Sequence, residues 1–398
     1  MRDDVAIVGA GPAGARAAFV LASRGARVTI FDWSHPREKP CGGGVTGRAL
    51  SLVADAIDPA DCAASTIRSA RFTDTPARRA AVVALEDAGA EPALVVADRA
   101  TFDAALLAAA VRAGATLDRS RVTDVALGRG GVELSTTGGS RAAAFVVGAD
   151  GATSLVRRRA AAPFRRDQLS IATGFFAHGV TSDEIAIEFT DDPAGYIWSF
   201  PRPTHLAIGI CAQADAGITA AALRGRAARW IEATAIARGA RLEPYSWPIP
   251  SLSAADFEAA ALSGPRWALA GDAAGLVDPI TREGIYFAIA SGQWVADALL
   301  EGSPRRYAAR ARELALPELT RAAQLKAGFF RAAFIGLLMR GLQQSGAIRA
   351  VMADLIAGRQ SYRTLKWRLL RTFEWRLAIN TALLAGVGRL RSQARISG

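Results

Sequence analysis

"DVAIVGAGPAGARAAFVLASRGARVTIFD", residues 4–32, decides the fold. Val5 to Val8 form a continuous apolar run, the pattern of a strand buried on both faces of a parallel sheet. Gly9, Gly11 and Gly14 then spell G-x-G-x-x-G at a strand-to-helix turn, with Ala18 small enough for close helix–sheet packing. Gly25 closes the helix, "ARVTIF" is a second strand, and Asp32 ends it. Glycines in that turn let backbone N–H groups and the helix N-terminus face a pyrophosphate, while the terminal carboxylate accepts hydrogen bonds from a ribose. A lone glycine-rich turn would carry little weight. Here strand, helix, second strand and terminal acid agree on a dinucleotide, without separating NAD from FAD.

The chain has 398 residues, enough for two or three domains and a sizeable core. Cys41, Cys62 and Cys211 show no C-x-x-C spacing and offer no disulfide framework, which fits a reducing, cytoplasmic compartment. The glycine motif begins within ten residues of Met1, so no targeting peptide is expected. No run of eighteen apolar residues predicts a transmembrane helix. His35, His178 and His205 have neither metal spacing nor a nucleophile partner and read as ordinary residues.

Three further segments choose the cofactor. "VADRATFDAAL" (96–106) places Arg99 just ahead of an amphipathic helix. "FVVGADGATSLVRR" (145–158) follows a glycine-punctuated stretch of strands and carries G-x-D-G with Asp150. "WALAGDAAGLVDPITREGIYFAIASG" (267–292) reads as strand, loop and a helix starting near Gly284, with Gly271-Asp272 in the loop. Either aspartate alone would be a turn residue, since Asp-Gly and Gly-Asp favour turns. In this order and spacing the chain resembles the glutathione-reductase-like flavoproteins, in the branch that contains aromatic hydroxylases. The resemblance implies FAD. It also implies that Asp272 holds the ribitol chain, that Pro279 and Gly284 border the isoalloxazine ring, and that Ala13, Val122 and Ile285 belong to the cofactor site. A helix starting at Gly284 would turn its positive end toward the ring.

Within that superfamily, "KPCGGGV" (39–45) and "GYIWSFPR" (195–202) resemble the geranylgeranyl reductase family, whose members carry a C-G-rich segment after the second strand and a Y-x-W-x-F-P motif in the substrate sheet. "DPITREGIY" (278–286) matches the family's third flavin motif. The resemblance implicates Cys41, Gly42 and Gly44 in FAD binding. It also suggests that the Cys41 thiol relays a proton to the substrate carbon opposite the hydride; the competing reading is a small buried thiol. Tyr196, Trp198 and Phe200 alternate at period two and so share one strand face, an aromatic wall that in such a family would hold an alkene over the flavin. Simple sheet core is the alternative, preferred for Phe200. Family members often have lysine after the proline, where this chain has Arg202.

The expected fold is α/β: a Rossmann-like FAD-binding domain assembled from residues 1–60, 95–160 and 262–315, an inserted antiparallel-sheet substrate domain from 61–94 and 161–261, and a helical C-terminal extension, 316–398. Strand-like "SIATGFFAHGV", "EIAIEF" and "HLAIGICA" and the helix "TAAALRGRAARWIEATAIARG" belong to the insert. No second G-x-G-x-x-G is present, so NADPH or another electron donor would have no binding domain of its own.

The net charge of +11 sits in the tail, because residues 321–398 hold 14 arginines and lysines against only Asp354 and Glu374. "LKAGFFRAAFIGLLMRGL" (325–342) is broadly apolar, and in "SYRTLKWRLLRTFEWRLAI" Leu369, Leu370, Phe373 and Leu377 share a helical face opposite Arg368 and Arg371. The tail reads equally as a helix lying in an anionic membrane interface, on its inner face, or as a cap packed on the protein. No nucleic-acid module accompanies the charge.

The functional expectation is therefore an FAD-dependent reductase of the double bonds of a polyprenyl substrate, with hydride delivered from reduced flavin N5. Geranylgeranyl diphosphate, an ether lipid, a chlorophyll side chain and a menaquinone tail fit the aromatic wall alike. The runner-up is a flavin monooxygenase or halogenase on the same scaffold, although the halogenase W-x-W-x-I-P signature is only half met, with Tyr196 in place of its first tryptophan. A membrane-docked electron relay is the third.

Overall fold

The computed structural model describes residues 3–58, 62–89 and 92–371. Its main sheet has eight strands, with the parallel order Trp267–Leu269, Gly139–Gly148, Asp3–Val8, Val28–Phe31 and Thr116–Asp118 at its centre. Val5 pairs with Phe145 on one side and Val28 on the other. Such strands are covered on both faces, which explains their unbroken apolar sequence: Ile7, Ile30, Val146 and Val147 are fully buried. Helices Pro12–Ala22 and Ile285–Leu300 cross closely on one face, and a Cβ at Gly292 would stand 2.3 Å from the Ala13 carbonyl oxygen.

A second sheet of seven strands draws on residues 69–84 and 169–250. Its strands are antiparallel except for Glu184–Asp191 beside Ser69–Asp74. Leu223, Ala227 and Ile231 of helix Ala220–Thr234 pack on its outer face. Between the two large sheets lies a three-stranded one, in which Leu94–Ala97 pairs with both Gly44–Thr46 and Ala64–Thr66. This small sheet anchors the C-G-rich segment to the strand that leads into Arg99.

Among the described residues the C-terminal extension is helical, as expected, in four segments: Leu316–Phe329, Ala332–Gln344, Gly346–Ile356 and Tyr362–Arg371. Ile335, Met339, Leu342 and Met352 share a core with Ala70, Phe72 and Val83, so the middle helices cap the edge of the second sheet. Glu318 accepts hydrogen bonds from Ser361 Oγ and the Tyr362 amide, both at 2.5 Å, and fixes the last described helix. On that helix Trp367 is 65% and Leu370 53% exposed; Phe373 and Leu377 lie outside the described residues. Among the described residues no single helix is long and apolar enough to cross a membrane, and the apolar pair Leu316–Phe329 and Ala332–Gln344 is bent by 99°.

Candidate active site

The glycine motif, Asp32, Asp150 and Asp272 all fall in loops at the carboxyl ends of neighbouring parallel strands, where doubly wound sheets bind their ligands. The three motif glycines serve different ends. A Cβ on Gly14 would meet the Gly9 carbonyl oxygen at 1.9 Å, and one on Gly9, whose φ is +102°, would meet the Ala149 carbonyl oxygen at 2.4 Å. Those two are demanded by backbone packing. A Cβ on Gly11 would find only His35 Nε2, at 3.8 Å. It would instead fill the cradle in front of the helix N-terminus, which fits the close approach of a pyrophosphate.

Asp32 accepts from the Ala10 amide at 2.9 Å, the Ser34 amide at 2.8 Å and the His35 amide at 2.9 Å, and its carboxylate lies 2.8 Å from His35 Nδ1. Burial pushes its carboxyl up, but the His35 imidazole and these amides outweigh that and hold it well below the usual range. Asp150 accepts from the Leu155 amide at 2.6 Å, while its Oδ1 is buried with no partner among the described residues. Asp272 has no hydrogen-bond donor of its own there either. Burial raises its carboxyl, against the pull of Lys39 and Arg99. A buried, unpartnered oxygen on Asp150 and a half-buried carboxylate without a donor on the adjacent Asp272 loop suit the hydroxyls of a sugar and its ribityl chain. The residues present therefore fit FAD.

Two of these loops are tied together by ion pairs. Arg99 opens helix Arg99–Arg112, capped by Asp98, and grips Asp103 one turn on with both arms, at 2.9 and 2.8 Å. Its remaining arm donates to Cys41 Sγ at 3.2 Å, which the Gly43 amide also reaches at 3.2 Å. Asp103 in turn lies 3.5 Å from His35 Nε2. A continuous polar chain thus runs from the Cys41 thiol through Arg99, Asp103 and His35 to Asp32. Glu283, just before Gly284, pairs with Arg48 and accepts from Thr46 Oγ1 at 3.2 Å, holding the third motif against the C-G-rich segment. Gly284 is the N-cap of helix Ile285–Leu300, Ile285 packs on the cluster around Val45, and Pro279 is buried in the preceding loop. The Gly271 amide donates to Ser291 Oγ at 2.8 Å, and a Cβ on Gly271 would touch Ala13 at 3.3 Å. Val122 stands outside this network, at the start of strand Val122–Leu127 in the main core.

The aromatic strand Ala194–Pro201 bridges the two loops. At one end the Phe200 ring packs on the C-G-rich backbone, so that a Cβ on Gly42 or Gly44 would lie 3.0 or 3.2 Å from it. At the other, Tyr196 Oη donates to the Thr281 carbonyl oxygen at 2.8 Å, and its ring stacks on Phe330 at 6.1 Å. Trp198 sits between them, its ring 5.8 Å from Tyr196, and its indole occupies the room left by Gly209. Burial raises the Tyr196 hydroxyl far above its ordinary value, so it stays protonated. Phe200 belongs to both readings made from the sequence: it is sheet core, and the atoms it covers are the glycines of the loop.

Sequence reasoning passed over several residues. His35 is no bystander but the link between Asp32 and Asp103. Arg202 is fully buried; it pairs with Glu38 and donates to the carbonyl oxygens of Lys39 at 3.3 Å and Cys41 at 2.6 Å. Asp103 was signalled by its i,i+4 spacing from Arg99, whereas the contacts of His35 and Arg202 arise only on folding.

Comparison with known proteins identifies the cofactor domain and the fold. A family model described as FAD binding domain matches residues 2–301. A digeranylgeranylglycerophospholipid reductase from Methanothrix thermoacetophila is 31% identical over 364 residues, 83% of this chain and 88% of that one. A geranylgeranyl diphosphate reductase from Rhodobacter capsulatus is 29% identical over 316 residues, 75% of each chain. Among solved structures, a geranylgeranyl bacteriochlorophyll reductase-like protein from Thermoplasma acidophilum superposes with a TM-score of 0.77 at 24% identity, over 94% of this chain and 99% of its own. That last likeness shows the fold.

Proposed function

The chain belongs to the geranylgeranyl reductase family of FAD-binding oxidoreductases, and from that premise we propose that it reduces carbon–carbon double bonds of a polyprenyl substrate. The observation that carries the proposal is the aromatic strand, which spans from the C-G-rich loop to the loop before Gly284. Tyr196, Trp198 and Phe200 supply an apolar wall along which an isoprenoid chain lies, excluding water and fixing one alkene. The names of the two curated relatives favour the same substrate class.

FAD would be held by the Gly9–Gly14 turn, Asp32, Arg99, Asp150 and Asp272, and when bound in reduced form it supplies the hydride for one alkene carbon. The other carbon needs a proton, and this reading gives that role to Cys41 Sγ. Two donors reach that sulfur, the Arg99 guanidinium and the Gly43 amide, and fix its position. Arg99 is itself fixed by Asp103, so the sulfur and the cofactor loop keep one register. The exposed Trp367 and Leu370 beside Arg363 and Arg371 suit contact with an anionic membrane surface, where prenyl lipids reside.

The test is product analysis. The reduced holoenzyme is given geranylgeranyl diphosphate or an unsaturated ether lipid, and products are weighed by mass spectrometry. Gain of two hydrogens per bond supports the reading. Loss of that gain in Trp198→Ala, with FAD retained, assigns it to the wall.

A further inference from the structure

Beyond the Tyr196 end of the aromatic wall the structure holds a small cleft, lined by Gly195, Tyr196, Gln213, Arg282, Lys326 and Phe330 among others. Its chemistry is one-sided. Lys326 Nζ donates to Gln213 Oε1 at 2.8 Å and to Ser251 Oγ at 2.9 Å, and Arg282 Nη1 donates to the same Ser251 oxygen at 2.5 Å. Two cations therefore meet across a single hydroxyl. Among the described residues neither forms an ion pair with a carboxylate. An ammonium has three donors and a guanidinium five, so one N–H of Lys326 and four of Arg282 are uncommitted among the described residues. Tyr196 contributes no donor here, because its hydroxyl is spent on Thr281.

Two further facts argue against a chance pairing. Arg282 adopts φ +62°, the left-handed region that a side chain of its size enters at a cost, and such strain persists where the surroundings impose it, often at ligand sites. Burial, together with the charge of Arg282, lowers Lys326 to about 8, against the weaker opposing pull of Cys211 and Asp215. Like charges brought together in a half-buried cleft are unfavourable until an anion joins them.

We propose that Arg282 and Lys326 seat the anionic headgroup of the substrate, a phosphate or diphosphate ester, at the end of the aromatic wall remote from the contact of Phe200 with Gly42 and Gly44. The inference rests on the prenyl reductase reading and narrows it: the substrate is an ionised prenyl phosphate or phospholipid rather than a neutral prenyl alcohol or quinone. The planar Arg282 fork suits two oxygens of one phosphoryl group, and Lys326 adds a point charge.

Inorganic diphosphate is the probe, titrated calorimetrically into the FAD-loaded full-length enzyme. Lys326→Gln and Arg282→Asn, the latter keeping a residue that tolerates left-handed backbone, are each expected to weaken its binding roughly 10- to 150-fold, the worth of one charge-assisted contact; Lys326→Arg restores most of it. In turnover, the variants raise KM for geranylgeranyl diphosphate by the same factor and leave geranylgeraniol and kcat unmoved, and diphosphate competes with the diphosphate substrate. Absence of diphosphate binding, equal binding by the variants, or non-competitive inhibition overturns the headgroup seat. If neither prenyl compound is reduced while the variants still lose diphosphate, the reductase reading falls and the anion seat stands.

Discussion

Arg202 Nη2 donates to the Cys41 carbonyl oxygen at 2.6 Å, so the end of the aromatic strand grips the cofactor loop by its backbone. The same side chain pairs with Glu38 and reaches the Lys39 carbonyl, with its guanidinium 5.2 Å from the Phe176 ring centroid. A lysine in its place keeps the charge but loses the planar fork that serves several acceptors at once. Arg202→Lys is expected to lose about 1 kcal/mol and Arg202→Met about 2–3 kcal/mol of stability, because Glu38 and the carbonyls are left unpaired. Denaturant titration of the holoenzyme measures both. Equal stability of all three proteins would deny the clamp.

The glycine motif separates packing from ligand approach. Gly14→Ala drives a Cβ into the Gly9 carbonyl, and a loss above about 4 kcal/mol, or no folded protein, is expected. Gly11→Ala meets nothing closer than 3.8 Å. Its stability without FAD should change by less than about 0.5 kcal/mol, while FAD affinity drops at least about ten-fold, some 1.4 kcal/mol. Flavin fluorescence titration provides the second number; unchanged FAD affinity would detach Gly11 from the cofactor.

Cys41→Ser and Cys41→Ala should keep FAD, because Arg99 and the loop backbone remain. Single-turnover reduction of the prenyl chain should slow by about 10²-fold, the usual worth of a positioned proton donor. An unaltered rate in both variants would return Cys41 to the status of a small buried thiol.

His205 gives a pH dependence. Burial, the Arg202 charge and the neighbouring His178 lower it from 6.5 to about 4, with Asp98 and Glu243 pulling the other way. Between about 4 and 6.5 the unfolded chain binds a proton that the folded chain refuses, so stability falls as pH drops through this window and its His205 component is constant above it. Denaturation midpoints of wild type and His205→Gln across pH 4–7 should diverge in slope. Parallel slopes would show that His205 takes no part.

What the sequence made legible was local. The turn from Val8 to Pro12, the Gly-Asp and Asp-Gly loops and the period-two aromatics each lie within a dozen residues, where chain geometry alone fixes their relation. The clamp could not be read that way, since Arg202 and Cys41 are 161 positions apart. His35 looked idle for the same reason: its partner Asp103 arrives on a helix that follows all three strands of the small sheet. Arg282 was hidden inside "DPITREGIY" between Pro279 and Gly284, and its tie to Lys326 through Ser251 depends on three separate segments meeting.

The most direct measurement is anaerobic. The purified holoenzyme is reduced chemically, mixed with geranylgeranyl diphosphate, and followed by flavin absorbance with product mass read in parallel. Reoxidation of the flavin matched mole for mole by a product heavier by two hydrogens is the predicted result. A flavin that stays reduced with every prenyl phosphate and phospholipid offered, yet reoxidises at once with oxygen or a quinone, would contradict prenyl reduction.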